Sequence, residues 1–115
     1  NASNQYLGGG ISPGIAMRYK SLNYFTSRLP LLDSKNDSEL IGTDTNRSIE
    51  SGVINGVISE IDGIISQYMM EFDDLTVVLT GGDSEFLSMQ LKNSIFANSN
   101  FLLEGLNYLL QFNLD

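Results

Sequence analysis

Three short stretches of this 115-residue chain carry residue types that hold small polar molecules: Gly8-Gly9-Gly10, Gly42-Thr43-Asp44-Thr45 and Thr80-Gly81-Gly82-Asp83. The last follows a β-branched apolar run and precedes a helical pattern, the place where open α/β sheets bind ligands. Its two glycines remove side chains that would block a nucleotide base or ribose, and they suit a plain strand-to-helix turn equally well. The triple glycine lets a ligand approach the backbone, with the dipole of a following helix available to an anion. A tight turn at positive φ is its other use. Thr45 and Asp44 can hydrogen-bond a polar substrate, and either can cap the helix after them.

Composition narrows the chemistry further. The sequence has no cysteine and no histidine, which excludes disulfides, thiolate metal sites and thiol catalysis and leaves proton transfer to carboxylates or to another chain. Six basic against fourteen acidic residues give a net charge of −8, with the positives gathered nowhere into a stripe. Nucleic acid and anionic membrane are therefore poor partners. A bound phosphate has to rely on backbone N–H groups, helix N-termini, a metal ion or a second chain. Glu71, Asp73 and Asp74 read as a solvated helix end rather than a metal site, because nothing supplies the remaining ligands. No nucleophile–base pair can be named, so no catalytic residue is assigned. No apolar run reaches about 18 residues and no signal-peptide pattern opens the chain, which makes a cytoplasmic protein the expectation.

The elements that must position these stretches follow from periodicity and punctuation. Ile49, Val53, Val57, Ile61, Ile64, Ile65, Tyr68 and Phe72 recur three or four apart and predict one long helix, the central wall of the core. Gly52, Gly56 and Gly63 interrupt it at a cost of about 1 kcal/mol each, which suggests close approach of another backbone, within the domain or at a two-fold axis. Gln5-Tyr6-Leu7 predicts a short strand. Ser12 as N-cap and Pro13 at the first helical position start a helix that ends at Leu29, before Pro30. Residues 30–40 form a loop. Leu75–Leu79 predicts a buried central strand, and Asp83 or Ser84 caps a helix through about Ile95. Ala97–Asn100 reads as a turn, Phe101–Leu103 as a short extended piece, and Gly105–Asn113 as a last helix. Residues 1–4 are set apart as a tag remnant and lead-in, and 5–115 form one α/β domain. Two or three strands serve four helices, the signature of a truncated sheet with dominant helices.

Taken in order, these motifs resemble type III pantothenate kinase. The resemblance rests on Gly9-Gly10-Ile11-Ser12-Pro13-Gly14, Leu29-Pro30, Ile41-Gly42-Thr43-Asp44-Thr45, Ile49-Glu50-Ser51-Gly52, Thr80-Gly81-Gly82-Asp83 and Leu103-Glu104-Gly105-Leu106, which span nearly the whole chain. It implies the C-terminal half of a ribonuclease H-like, actin-like ATPase fold. The implied reaction is ATP-dependent phosphorylation of pantothenate, the start of coenzyme A synthesis. Thr45, Asp44 and Gly42 would then face pantothenate, while Gly81, Gly82, Asp83, Gly9 and Gly10 would face the nucleotide. ATP, Mg²⁺, a monovalent cation (K⁺ or NH₄⁺) and a homodimer are further implications. The family's Asp-x-Gly-Asn-Thr phosphate loop, its catalytic Asp and its cation-binding Asp strand match nothing in this sequence. The expectation is a kinase part that is inactive alone, with the cation ligands outside the chain. Unpaired strand edges at Gln5–Leu7 or Thr76–Leu79 add an expectation of self-association. The alternative is a non-catalytic module that retains the same turns, for regulation or helical interaction.

Overall fold

The computed structural model describes residues 7–35 and 39–91, together with the backbone of residues 96–98. The apolar stripe that opens at Ile49 does form a long helix, and Asp44 begins it. Its Oδ1 accepts a hydrogen bond from the Arg47 amide at 2.7 Å and so satisfies a donor of the first turn. The helix runs as α2 (Thr45–Glu50), a π-helical turn (Ser51–Asn55) and α3 (Gly56–Glu71). In a π turn the ladder spans one residue more than in an α-helix, so the stripe is re-phased. Ile49, Val53, Ile54 and Val57 are all buried as a result. Ile54 falls outside a strict three-and-four pattern, yet it is 1% exposed.

Against this helix lies α1 (Ile15–Tyr24), which contributes Ile15 and Tyr19, one turn apart, to the same cluster. Leu87 of α4 (Ser84–Gln90) closes the cluster, and Leu22, Leu29, Leu32, Ile61, Leu79 and Phe86 pack around it half-buried. Burying an aliphatic side chain of this size contributes about 2 kcal/mol, so this short list carries most of the described core. The Tyr19 hydroxyl donates to the Ser34 carbonyl at 2.6 Å, which satisfies its polar end inside the core. Burial raises the Tyr19 pKa above its ordinary value, with smaller contributions from Glu50 and Asp33.

Strand β1 (Val78–Thr80) pairs in parallel with β2 (Phe96–Asn98), and Leu79 stands opposite Ala97. Helix α4 lies between them in sequence, as a parallel pair requires.

Several expectations are corrected here. Helix α1 starts at Ile15 behind Gly14, without a side-chain cap. Ser12 is elsewhere: its hydroxyl donates to the Glu60 carboxylate. The same helix ends at Tyr24 instead of Leu29. Asn23 donates to the Leu29 carbonyl and Thr26 to the Leu22 carbonyl, and these bonds fold the chain back. The strand is three residues long rather than five, it is half exposed, and it pairs over Val78–Thr80 with Phe96–Asn98. Ala97 and Asn98, read as turn, belong to β2. Helix α4 stops at Gln90, and Asp83 forms no side-chain cap. A Cβ built at Gly52 or Gly63 meets nothing within 4 Å, and one at Gly56 meets only the Arg18 guanidinium at 3.6 Å, so no backbone crosses these glycines among the described residues. Leu7 lies in no strand. Gln5, Tyr6 and the pieces expected at 101–103 and 105–113 lie outside the described residues.

Candidate functional site

Two cavities gather the sequence-predicted residues. The smaller, about 630 Å³, is lined by Gly42, Thr43, Asp44, Thr45, Ser48, Ile49 and Gly52, together with Leu22 and Leu29. All three residues expected to face a substrate, Gly42, Asp44 and Thr45, therefore share one wall. The loop owes its shape to close contact with the helix it precedes. A Cβ at Gly42 would sit 2.3 Å from the Ser48 amide nitrogen and 2.5 Å from the Arg47 carbonyl carbon, distances no side chain tolerates. Only glycine lets the two backbones meet. The Ser48 hydroxyl donates to the Gly42 carbonyl at 3.3 Å and adds a second tie. Of the two possible caps, Asp44 takes the role, and the Thr45 hydroxyl is not needed for it. The Arg47 guanidinium lies 3.7 Å from the other Asp44 oxygen. The lining thus combines hydroxyl-bearing residues with two leucines, which suits a small molecule with polar and aliphatic parts.

The larger groove, about 840 Å³, lies between the Gly9–Ile15 segment and α3. Gly9, Gly10 and Asp83, three of the five residues expected at a nucleotide, line it together with Thr80, Glu60 and the apolar row Ile61, Ile64, Ile65 and Tyr68. Gly81 and Gly82 stand between Thr80 and Asp83 but do not line it. Gly81 has φ of +106°, a conformation that L side chains rarely adopt, and this is what turns the chain from β1 into α4. Charged side chains from distant positions hold the groove together. Arg18 pairs with Glu60, and its Nε donates to the Pro13 carbonyl at 2.8 Å, which clasps the glycine segment to α3. The hydrogen bond from Ser12, and then Arg18, lowers the Glu60 pKa. Lys35 donates to Asp83 at 2.7 Å, and that bond raises the Lys35 pKa.

Arg18, Glu60 and Lys35 escaped sequence reasoning because their partners lie tens of residues away. Ser51 and Asn55 escaped it too, although a polar pair four apart on a buried helix face was a usable signal. Among the described residues no group of three or more acidic, histidine or cysteine side chains could hold a metal ion, and no helix is long and apolar enough to cross a membrane.

Comparison with known proteins gives this geometry a context. The family model described as type III pantothenate kinase matches residues 1–67. A type III pantothenate kinase of Christiangramia forsetii is 60% identical over 108 residues, covering 94% of this chain and 44% of the relative. That of Flavobacterium johnsoniae is 50% identical over 113 residues, covering 98% and 46%. That of Cytophaga hutchinsonii is 41% identical over 113 residues, covering 98% and 48%. The chain spans about half the length of the curated relatives it matches. Motifs and matches agree: this chain belongs to the type III pantothenate kinase family.

Proposed function

We propose that the chain is the C-terminal part of an ATP-dependent pantothenate kinase, with an actin-like ATPase fold, that transfers a phosphoryl group to pantothenate in coenzyme A synthesis. The observation that carries this is the gathering of Gly42, Asp44 and Thr45 around one small cavity that two leucines also line. Pantothenate has polar and aliphatic parts: hydroxyl, amide and carboxylate groups along a chain that also bears a gem-dimethyl carbon. In this reading Thr45 hydrogen-bonds the substrate, and Leu22 and Leu29 cover its aliphatic part. Adenosine lies in the larger groove, against Gly9, Gly10, Thr80 and Asp83, where apolar side chains, Tyr68 among them, and bare backbone suit a heterocycle. Mg²⁺ and a monovalent cation have no donor set among the described residues, so no step here passes through them. The general base and the triphosphate cradle are likewise assigned to residues outside this sequence, and the chain alone is expected to be inactive.

The homodimer belongs to the same proposal. Met69 and Met70 of α3 stay exposed outside the larger groove, Met70 at 87%, and a second copy would cover them. Sedimentation equilibrium reads that state directly.

The test is a kinase assay on the intact protein that carries this chain, compared with its Thr45→Val variant. Val keeps the shape and removes the hydroxyl, so the pantothenate KM is expected to rise about tenfold while the melting temperature holds, as one lost hydrogen bond implies. Unchanged pantothenate kinetics in a folded variant would remove Thr45 from the site.

A further inference from the structure

We propose that Ser51 and Asn55 are positioning residues for the Gly42–Thr45 loop, setting the affinity for pantothenate without touching it. The proposal rests on the functional reading above.

Ser51 is one of two buried polar residues among the described residues, 7% exposed, and it interrupts the apolar row of Ile49, Val53 and Ile54. A hydroxyl in such a place needs a partner. It has one in the Leu40 carbonyl, to which it donates at 2.6 Å. Asn55 stands four residues on, at the other end of the π-helical turn. Its amide donates to the Glu39 carbonyl at 3.3 Å and to the Ser51 hydroxyl oxygen at 3.2 Å. The two side chains form a short ladder that grips two consecutive carbonyls of the segment leading into the loop.

The side chains of Leu40 and Ile41 are 81% and 74% exposed, so neither is an apolar anchor. Beyond them Gly42 must reach contact distance of the Arg47–Ser48 backbone for the cavity wall to form. The ladder delivers the chain to that contact. Neither Ser51 nor Asn55 lines the cavity, which separates their role from that of Thr45 or Ser48. The π turn itself fits this function, since such turns recur at functional sites.

The experiment uses the intact protein with Asn55→Asp, which keeps the shape but loses both donors, and Ser51→Ala. Both variants are expected to raise the pantothenate KM about tenfold and to leave the ATP KM within about twofold, the size of one lost hydrogen bond. Amide hydrogen exchange at residues 40–45 should quicken about fivefold or more, with residues 80–83 unchanged. A pantothenate KM within about twofold of wild type in either folded variant, or an equal rise in both KM values, overturns the proposal. Should Ser51→Ala fail to fold, Asn55→Asp decides alone. A wild-type protein without ATP-dependent phosphorylation of pantothenate overturns the functional reading instead. Exchange at 40–45 then decides: quickening upholds the positioning role, and unchanged exchange ends it.

Discussion

The cavity beside Gly42–Thr45 and the groove beneath Gly9–Ile15 are held open by different forces. Seven of the nine residues lining the cavity fall between Gly42 and Gly52. Backbone contact at Gly42, an Asp44 cap and neutral hydrogen bonds fix it. The groove draws on positions from Gly9 to Leu87, and its walls are tied by Arg18–Glu60 and Lys35–Asp83. Steric contact and neutral hydrogen bonds respond little to salt or pH, whereas partly exposed ion pairs, the groove's two and the longer Arg47–Asp44 pair beside the cavity, respond to both. The cavity, with its backbone contact at Gly42, is therefore the more rigid of the two and the groove the more adjustable.

The contrast can be broken first at its glycines. Gly42→Ala should produce the largest effect, about 3 kcal/mol in urea unfolding, because its methyl group would overlap the Ser48 backbone and nothing flexible can yield. A loss under about 1 kcal/mol would show that the loop moves freely and that the cavity is not sterically fixed. Gly81→Ala meets no atom within 4 Å, and its cost is conformational, about 2 kcal/mol for a side chain at φ of +106°. It should weaken ATP binding and leave pantothenate binding in place, a separation that isothermal titration of the intact protein can check. If Gly81→Ala weakens both ligands alike, the two sites are not independent.

The smallest expected effect sharpens the electrostatic half. The folded-state pKa of Glu60 lies below the ordinary value of 4.5, chiefly through the Ser12 hydrogen bond. The resulting stabilisation is fully present above that ordinary value and is lost as pH falls through the lowered one. Wild type should therefore exceed Glu60→Gln in stability near neutral pH, and the gap should narrow in the acid range below 4.5. A gap independent of pH would mean that Glu60 acts by shape and neutral bonding alone.

What could be read from the residue order divides along the same line. The long helix and a cap at Asp44 or Thr45 were legible because their residues are near neighbours and periodicity reports local geometry. The groove was legible only as separate pieces. Nothing in the spacing of Ser12, Arg18 and Glu60 says that they meet, and Lys35 gives no sign of Asp83. The strand was read too long because a β-branched apolar run reports propensity and not pairing, and Ala97 and Asn98 of its partner β2 had been read as turn. Ser12 was read as a cap since its type fits one, but a carboxylate on α3 outcompeted a backbone amide. The glycines of the helix misled in another way: Gly52 and Gly63 face open space here, where close crossing had been expected.

The π-helical turn also sets how tolerant this helix is to changes in its length. Each residue of an α-helix turns the chain by about 100°, so the one extra residue held in Ser51–Asn55 acts as a phase offset between α2 and α3. Removing that one extra residue would restore an unbroken α-helix and leave everything after it facing as before, because the wide turn has already absorbed the surplus rotation. Val57 and Ile65 would stay in the core, and the groove wall of Ile61, Ile64 and Tyr68 would keep its direction. A one-residue deletion within α3 has no such reserve, and every later residue of the helix would turn by about 100° away from its present face.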